Sequence, residues 1–244
     1  MAKNILILGA TSDIAAACAR TFSQAGYDII LAARNTGTLL PLADDIMIRS
    51  NQQVYVTSFD ATAFETHADF IKNLPVKPYG VICAFGFLGD QTKAEDSFRE
   101  AHTIIDSNYT GAVSLLGRLA LLFEARQAGF IVGISSVAGD RGRSSNYVYG
   151  SAKAGYTAFL SGLRNRLQRK NVQVITVKPG FVRTAMTEGL NLPKALTAEP
   201  EQVAKDIFTA VQKNKDVVYS KWFWKYIMLI IRHIPEPLFK RLAL

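Results

Sequence analysis

The chain has little of what staples or metallates a protein: two cysteines and three histidines in 244 residues. Cys18 and Cys83 lie in apolar stretches far apart, so they read as buried thiols of a reduced compartment, not a disulfide. No spacing of Cys, His or acid matches a metal site, and no metal is expected. Long apolar runs are also lacking; none approaches the ~18 residues that a spanning helix needs. The sequence enters a strand-like stretch almost at once, without a secretory leader, which gives a cytoplasmic expectation. Acid is scarce: 28 Lys and Arg against 20 Asp and Glu leave a net charge of +8. Residues 213–244 hold seven of the basic residues and two of the acids, so this tail carries +5 of that total. Elsewhere no stripe of basic and aromatic residues appears, which argues against a nucleic-acid partner.

What is present suits one α/β domain with a large core: 49% hydrophobic and 20% charged residues. Apolar strands are expected at 4–8, 28–33, 53–58, 79–84, 130–134, 172–177 and 217–219, separated by helical stretches. This alternation implies a doubly wound, Rossmann-like, mostly parallel sheet with helices on both faces. The boundaries are 1–220 for the domain and 221–244 for a C-terminal extension.

The first strand runs into Gly9-Ala-Thr11-Ser12-Asp13-Ile14-Ala15 and an alanine-rich helix. A tight strand-to-helix turn offers backbone N–H groups and a helix N-terminus to a pyrophosphate. Asp13 and Ala15 stand where a glycine-rich pattern has glycines, and Asp13 is expected to turn away and cap the helix. Arg34 ends the second strand, where an NAD-selective protein carries an acid; it reads either as a solvated residue or as a grip on a 2′-phosphate, favouring NADPH over NADH. Asp60 reads as a helix cap or as the partner of an adenine amino group. Gly86, after the fourth strand, allows close approach of backbone to a ligand.

Residues 97–125 read as one long core-facing helix, with the polar group Asp106-Ser-Asn108-Tyr-Thr inside it. Asn108 suggests a local kink whose freed carbonyl holds a water, or a satisfied buried asparagine. Further on, an apolar strand delivers Ser136 to its carboxyl end, and Tyr149 opens a helix with Lys153 four residues later. That spacing puts the two on one helical face. A nearby ammonium is expected to lower the pKa of the phenol and fit it for proton exchange with an alcohol oxygen, which Ser136 can also hold. Pro179-Gly180 stops the sixth strand beside a ligand, Thr184 adds a hydroxyl, and residues 185–199 read as a polar covering loop.

Together these residues resemble the short-chain dehydrogenase/reductase family over about residues 3–220. The resemblance implies a seven-stranded sheet and assigns general acid/base work to Tyr149. Lys153 would hold the nicotinamide ribose, Ser136 would orient the carbonyl, and Asn108 would hold a relay water. It implies cofactor contacts at Gly9, Thr11, Ser12, Asp13, Ile14, Arg34, Asp60, Ala84, Gly86, Tyr149, Lys153, Pro179, Gly180, Val182 and Thr184. The cofactor would be NADPH/NADP+ and the reaction reduction of a ketone. A homodimer or homotetramer would form through the helices near 98–125 and 149–169. The sequence departs from the family pattern at Asp13 and Ala15, and again at Cys83-Ala-Phe-Gly86, where Asn-Asn-Ala-Gly is usual. A cofactor-binding regulatory or scaffolding protein with the same fold is the alternative.

In the extension, Lys221-Trp-Phe-Trp224-Lys-Tyr-Ile-Met-Leu-Ile-Ile-Arg232 sets aromatics among basic residues. This fits a helix lying on the inner face of a membrane, with Trp222 and Trp224 both reaching for lipid. The other reading is packing onto the domain or across a subunit interface. The tail also resembles that of bacterial polyprenyl-phosphoryl-pentose 2-ketoreductases, which suggests a lipid-linked keto sugar as substrate.

Overall fold

The computed structural model describes residues 3–189 and 191–242. Position 190 of the expected covering loop and positions 243–244 of the tail, together with residues 1–2, lie outside the described residues. In chain order the elements are β1 (Asn4–Leu8), α1 (Asp13–Gln24), β2 (Asp28–Ala33), α2 (Leu40–Ser50), β3 (Val54–Ser58), α3 (His67–Lys72), β4 (Gly80–Cys83), α4 (Gln91–Asp96), α5 (Phe98–Ile105) and α6 (Gly111–Arg126). There follow β5 (Gly129–Ile134), α7 (Tyr147–Leu167), β6 (Val172–Pro179), β7 (Phe181–Val182), β8 (Thr197–Ala198), α8 (Pro200–Gln212), β9 (Val217–Ser220), α9 (Trp224–His233) and α10 (Glu236–Phe239).

Seven strands form one sheet in the order β3-β2-β1-β4-β5-β6-β9, and every pairing in it is parallel. Both faces are covered, as a parallel sheet requires. The pleat divides each strand between two cores: Ile5 and Ile7 face α1, α2 and α8, while Leu6 and Leu8 face α6 and α7. The chain switches direction across the sheet between β1 and β4, so their carboxyl ends open a crevice there.

The helix expected over 97–125 is divided. A π turn over Asp106–Thr110 separates α5 from α6. Asn108 is buried within it and donates through Nδ2 to the carbonyls of Ile104 (2.8 Å) and Phe87 (2.6 Å). The segment expected as a polar loop holds more order than its composition suggests, since β8 pairs with β7 and two short turns flank the rest. α2 and α4, absent from the sequence reading, complete the layers.

The tail is anchored to the domain. Arg141 donates through Nη1 to the carbonyls of Ile231 (2.7 Å) and Ile234 (2.6 Å), closing the C-terminus of α9. Its Nη2 reaches Glu236 at 2.8 Å, and its guanidinium stacks 3.6 Å over the ring of Phe239. Beside it, the buried carboxylate of Asp140 binds the Lys178 ammonium and accepts from the Tyr219 hydroxyl, tying β6 and β9 to the loop after β5.

Candidate active site at the carboxyl edge of the sheet

Two cavities meet over the crevice between β1 and β4, sharing Thr11, Ser12, Ala84, Phe85, Gly86 and Met186. They form one continuous cleft. Gly9, Arg34 and Asp60 line one arm; Asp13, Ile14, Ser136, Tyr149, Lys153, Pro179, Gly180, Val182 and Thr184 line the other. Among the site residues expected from sequence, only Asn108 is off the wall; it stands behind Gly86, where an added Cβ would lie 2.8 Å from its Oδ1.

The turn after β1 is built for close approach. Gly9 has φ +75°, and a Cβ there would come within 2.7 Å of the Phe85 backbone. The cap of α1 is Ser12, whose hydroxyl accepts from the Ala15 N–H at 3.1 Å. Asp13 turns away from the turn as expected, but not to cap the helix. Its carboxylate accepts from the Ala185 N–H at 2.9 Å, linking the turn to the segment after β7. Asp60 accepts from both the backbone N–H and the hydroxyl of Thr62. Partial burial would raise its pKa, but these bonds and the charge of Arg34 outweigh that and hold the carboxyl below its ordinary value.

In the other arm, β5 ends at Ile134 and extended backbone carries Ser136 into the cleft. Ser136 and Tyr149, the latter in the first turn of α7, line the same arm of the cleft. The peptide following Ser136 is fixed by its own Oγ, which accepts from the Ala138 N–H at 3.1 Å. Ser135 braces α7 from beneath, bonding the Lys153 carbonyl (3.0 Å) and the Thr157 hydroxyl (2.8 Å). Lys153 is 3% exposed and donates through Nζ to the Ile134 carbonyl at 3.0 Å.

The expected acidic phenol is not what this geometry gives. Burial pushes the Tyr149 hydroxyl up to about 12, opposed only by the neighbouring Ser136. Lys153 is turned to a backbone carbonyl, 5.6 Å from the Tyr149 ring centre, and burial lowers its own pKa to about 8. The i,i+4 spacing delivers proximity but not a charge contact. Asn108 likewise spends its amide on the backbone: besides the two carbonyls, its Oδ1 accepts from the Phe87 N–H at 3.2 Å. The side chain of Asn108 is thus satisfied within the fold, while the water was expected on a different group, the carbonyl freed by the π turn.

Arg143, Asn146, Phe181, Met186 and Trp224 also line the second arm and were not among the expected site residues. Trp224 corrects the membrane expectation for that residue. It is 4% exposed, its indole lies against Gly180, and its Nε1 donates to the Leu196 carbonyl at 3.2 Å. Phe181 meets it edge to face at 5.5 Å. Only the neighbouring Trp222 faces outward. Arg143 and Asn146 were signalled by their place between two catalytic candidates. For Trp224 no local signal existed, because the cleft residues that seat it, Gly180, Phe181 and the Leu196 carbonyl, lie 28 or more residues upstream.

The donor set fits a phosphorylated dinucleotide: a glycine turn opening a helix, a guanidinium and a carboxylate in one arm, and a serine–tyrosine pair beside a buried lysine in the other. A family profile described as short chain dehydrogenase matches residues 3–195. An uncharacterized oxidoreductase of Mycobacterium tuberculosis is 36% identical over 99% of this chain and 97% of its own length. One from Streptomyces coelicolor is 32% identical over 99% and 96%. Among solved structures, a short-chain dehydrogenase from Sphingobium yanoikuyae in complex with NADPH superposes with a TM-score of 0.82 at 22% identity, covering 96% and 97% of the two chains. A bulky-bulky ketone specific alcohol dehydrogenase from Comamonas testosteroni gives 0.79 at 20% identity, over 96% and 95%.

Proposed function

We propose that this chain, which belongs to the short-chain dehydrogenase/reductase family and is thereby an NAD(P)H-dependent oxidoreductase, reduces a ketone to an alcohol with NADPH. The observation that carries this reading is the placement of Ser136, Tyr149 and Lys153 together in a cleft continuous with the dinucleotide arm. When bound, NADPH supplies the hydride. Tyr149 holds its proton firmly at neutral pH and stands ready to donate it to the carbonyl oxygen, while Ser136 holds that oxygen in line. Lys153, on α7, lines the crevice and would hold a ribose hydroxyl. The turn at Gly9–Ile14 would hold the pyrophosphate and Asp60 the adenine. Arg34, exposed with no acid at 33–35, would take a 2′-phosphate and favour NADPH over NADH.

Replacing Tyr149 by Phe removes the donor with little change in shape. NADPH oxidation with any accepted ketone should fall by at least about a thousandfold, while NADPH binding, read by its fluorescence, persists. Retained turnover would sink the proposal; wild-type binding without turnover over a broad ketone panel would favour the regulatory alternative. Titration with NADH alongside reads the cofactor preference.

The tail's outer face supports a peripheral place on the inner surface of a membrane, with a lipid-associated or lipid-linked ketone as substrate. Trp222, Tyr226, Leu229 and Ile230 are exposed beside Lys225 and Arg232, while no helix among the described residues is long and apolar enough to cross a bilayer. Exposed Phe98, Leu121 and Leu122 on α5 and α6 support a homodimer or homotetramer, whose mass sedimentation would read; a monomer at working concentration would exclude it.

A further inference from the structure

The substrate arm holds a guanidinium that the fold does not use. Arg143 sits in the loop between Ser136 and α7, and its side chain lines the cleft with Val137, Phe181 and Trp224. Its Nε is buried and has no hydrogen-bond partner among the described residues. The acid that bears on it, Asp140, is already bound to Lys178 and Tyr219. Three residues on, Asn146 precedes α7 without capping it by its side chain, and its Oδ1 is also buried and unpartnered. Neither residue lines the dinucleotide arm. Buried polar atoms are almost always bonded, and a buried donor and a buried acceptor left open on two residues of one cleft wall point to a ligand that completes them.

We propose that Arg143 and Asn146 form a subsite for an anionic group carried by the ketone, a carboxylate or a phosphate, next to a hydrogen-bond donor such as a hydroxyl. The guanidinium meets the anion in a charge-assisted bond, strengthened by the apolar walls around it, and the asparagine oxygen accepts from the donor. The anion fixes one end of the substrate while Ser136 and Tyr149 hold the carbonyl at the other, so binding energy is spent on orientation. This deepens the ketone-reductase reading and rests on it for the carbonyl alone.

The test compares matched ketones. One arm sets dihydroxyacetone phosphate against dihydroxyacetone; the other sets 4-oxopentanoate against its methyl ester. Wild-type protein should prefer the charged member of one pair by at least about tenfold in kcat/KM, chiefly through KM, and the arm that responds names the anion. Arg143→Gln should bring that ratio close to one, and Arg143→Lys should restore part of it. A binding arm does not depend on turnover: with NADPH saturating, inorganic phosphate or acetate should raise the melting temperature of the wild type and not of Arg143→Gln. If that shift appears while no ketone is reduced, the reductase reading fails and the subsite stands. Should Arg143→Gln not fold, Arg143→Met takes its place and should abolish the same preference. Equal preference, or an anion shift unchanged in the folded variants, overturns the subsite.

Discussion

Lys153 shows how one side chain can be placed by the helix and governed by burial. Its ammonium is nearly inaccessible and its pKa falls to about 8, far below that of the unfolded chain. Between these two values the unfolded state binds more protons, so stability attributable to this residue rises with pH; below about 8 the full cost of the buried charge remains. Relative to Lys153→Met, the wild type should therefore gain about 2–3 kcal/mol between pH 7 and 10, read from urea midpoints. The buried Cys83 thiol, pushed up to about 11, contributes in the opposite sense and is coupled to Lys153, so both proteins are compared in a Cys83→Ala background. Parallel pH profiles for the two proteins would refute the assignment. The sequence made the pairing of Tyr149 and Lys153 legible, because i,i+4 geometry is local. It did not make the protonation legible, because that depends on burial by other elements and on the Cys83 thiol of β4.

At the scale of elements, the strands could be read because their wholly apolar runs reflect cover on both faces, and the kink at Asn108 could be read because polar residues interrupt a core-facing helix. The contact between the residue after β6 and α9 could not, since nothing local to Gly180 announces an indole. A Cβ on Gly180 would fall 2.0 Å from the Trp224 ring, and the glycine has no unusual backbone angle to explain it otherwise. Gly180→Ala should thus displace Trp224, destabilise by about 1–3 kcal/mol and raise KM for ketone more than it lowers kcat. Trp224→Ala makes room, so the double variant should be no less stable than Trp224→Ala alone. Additive losses would mean that the clash is relieved elsewhere.

For the whole molecule, the tail has two faces with different work. Trp224 and Met228 are buried against Val137 at the cleft, while Trp222 and Ile230, 73% and 68% exposed, face outward beside the surplus of positive charge. Deleting the tail would remove a pocket wall together with any lipid contact, so the informative variant changes only the outer face. Trp222→Ser with Ile230→Ser should abolish flotation with anionic liposomes while leaving the melting temperature within a few degrees. Equal flotation of both proteins, or none by the wild type, would remove the membrane from the account. The sequence showed the tail's amphipathic character, but dividing its two tryptophans between core and surface required the docked orientation that Arg141 imposes.

That docking also sets a temporal order during synthesis. Ser136, Tyr149 and Lys153 leave the ribosome well before Trp224, which is made after every other residue lining the cleft. A nascent chain can assemble its proton-transfer machinery while one side of the substrate chamber is still missing, and selectivity matures later than reactivity.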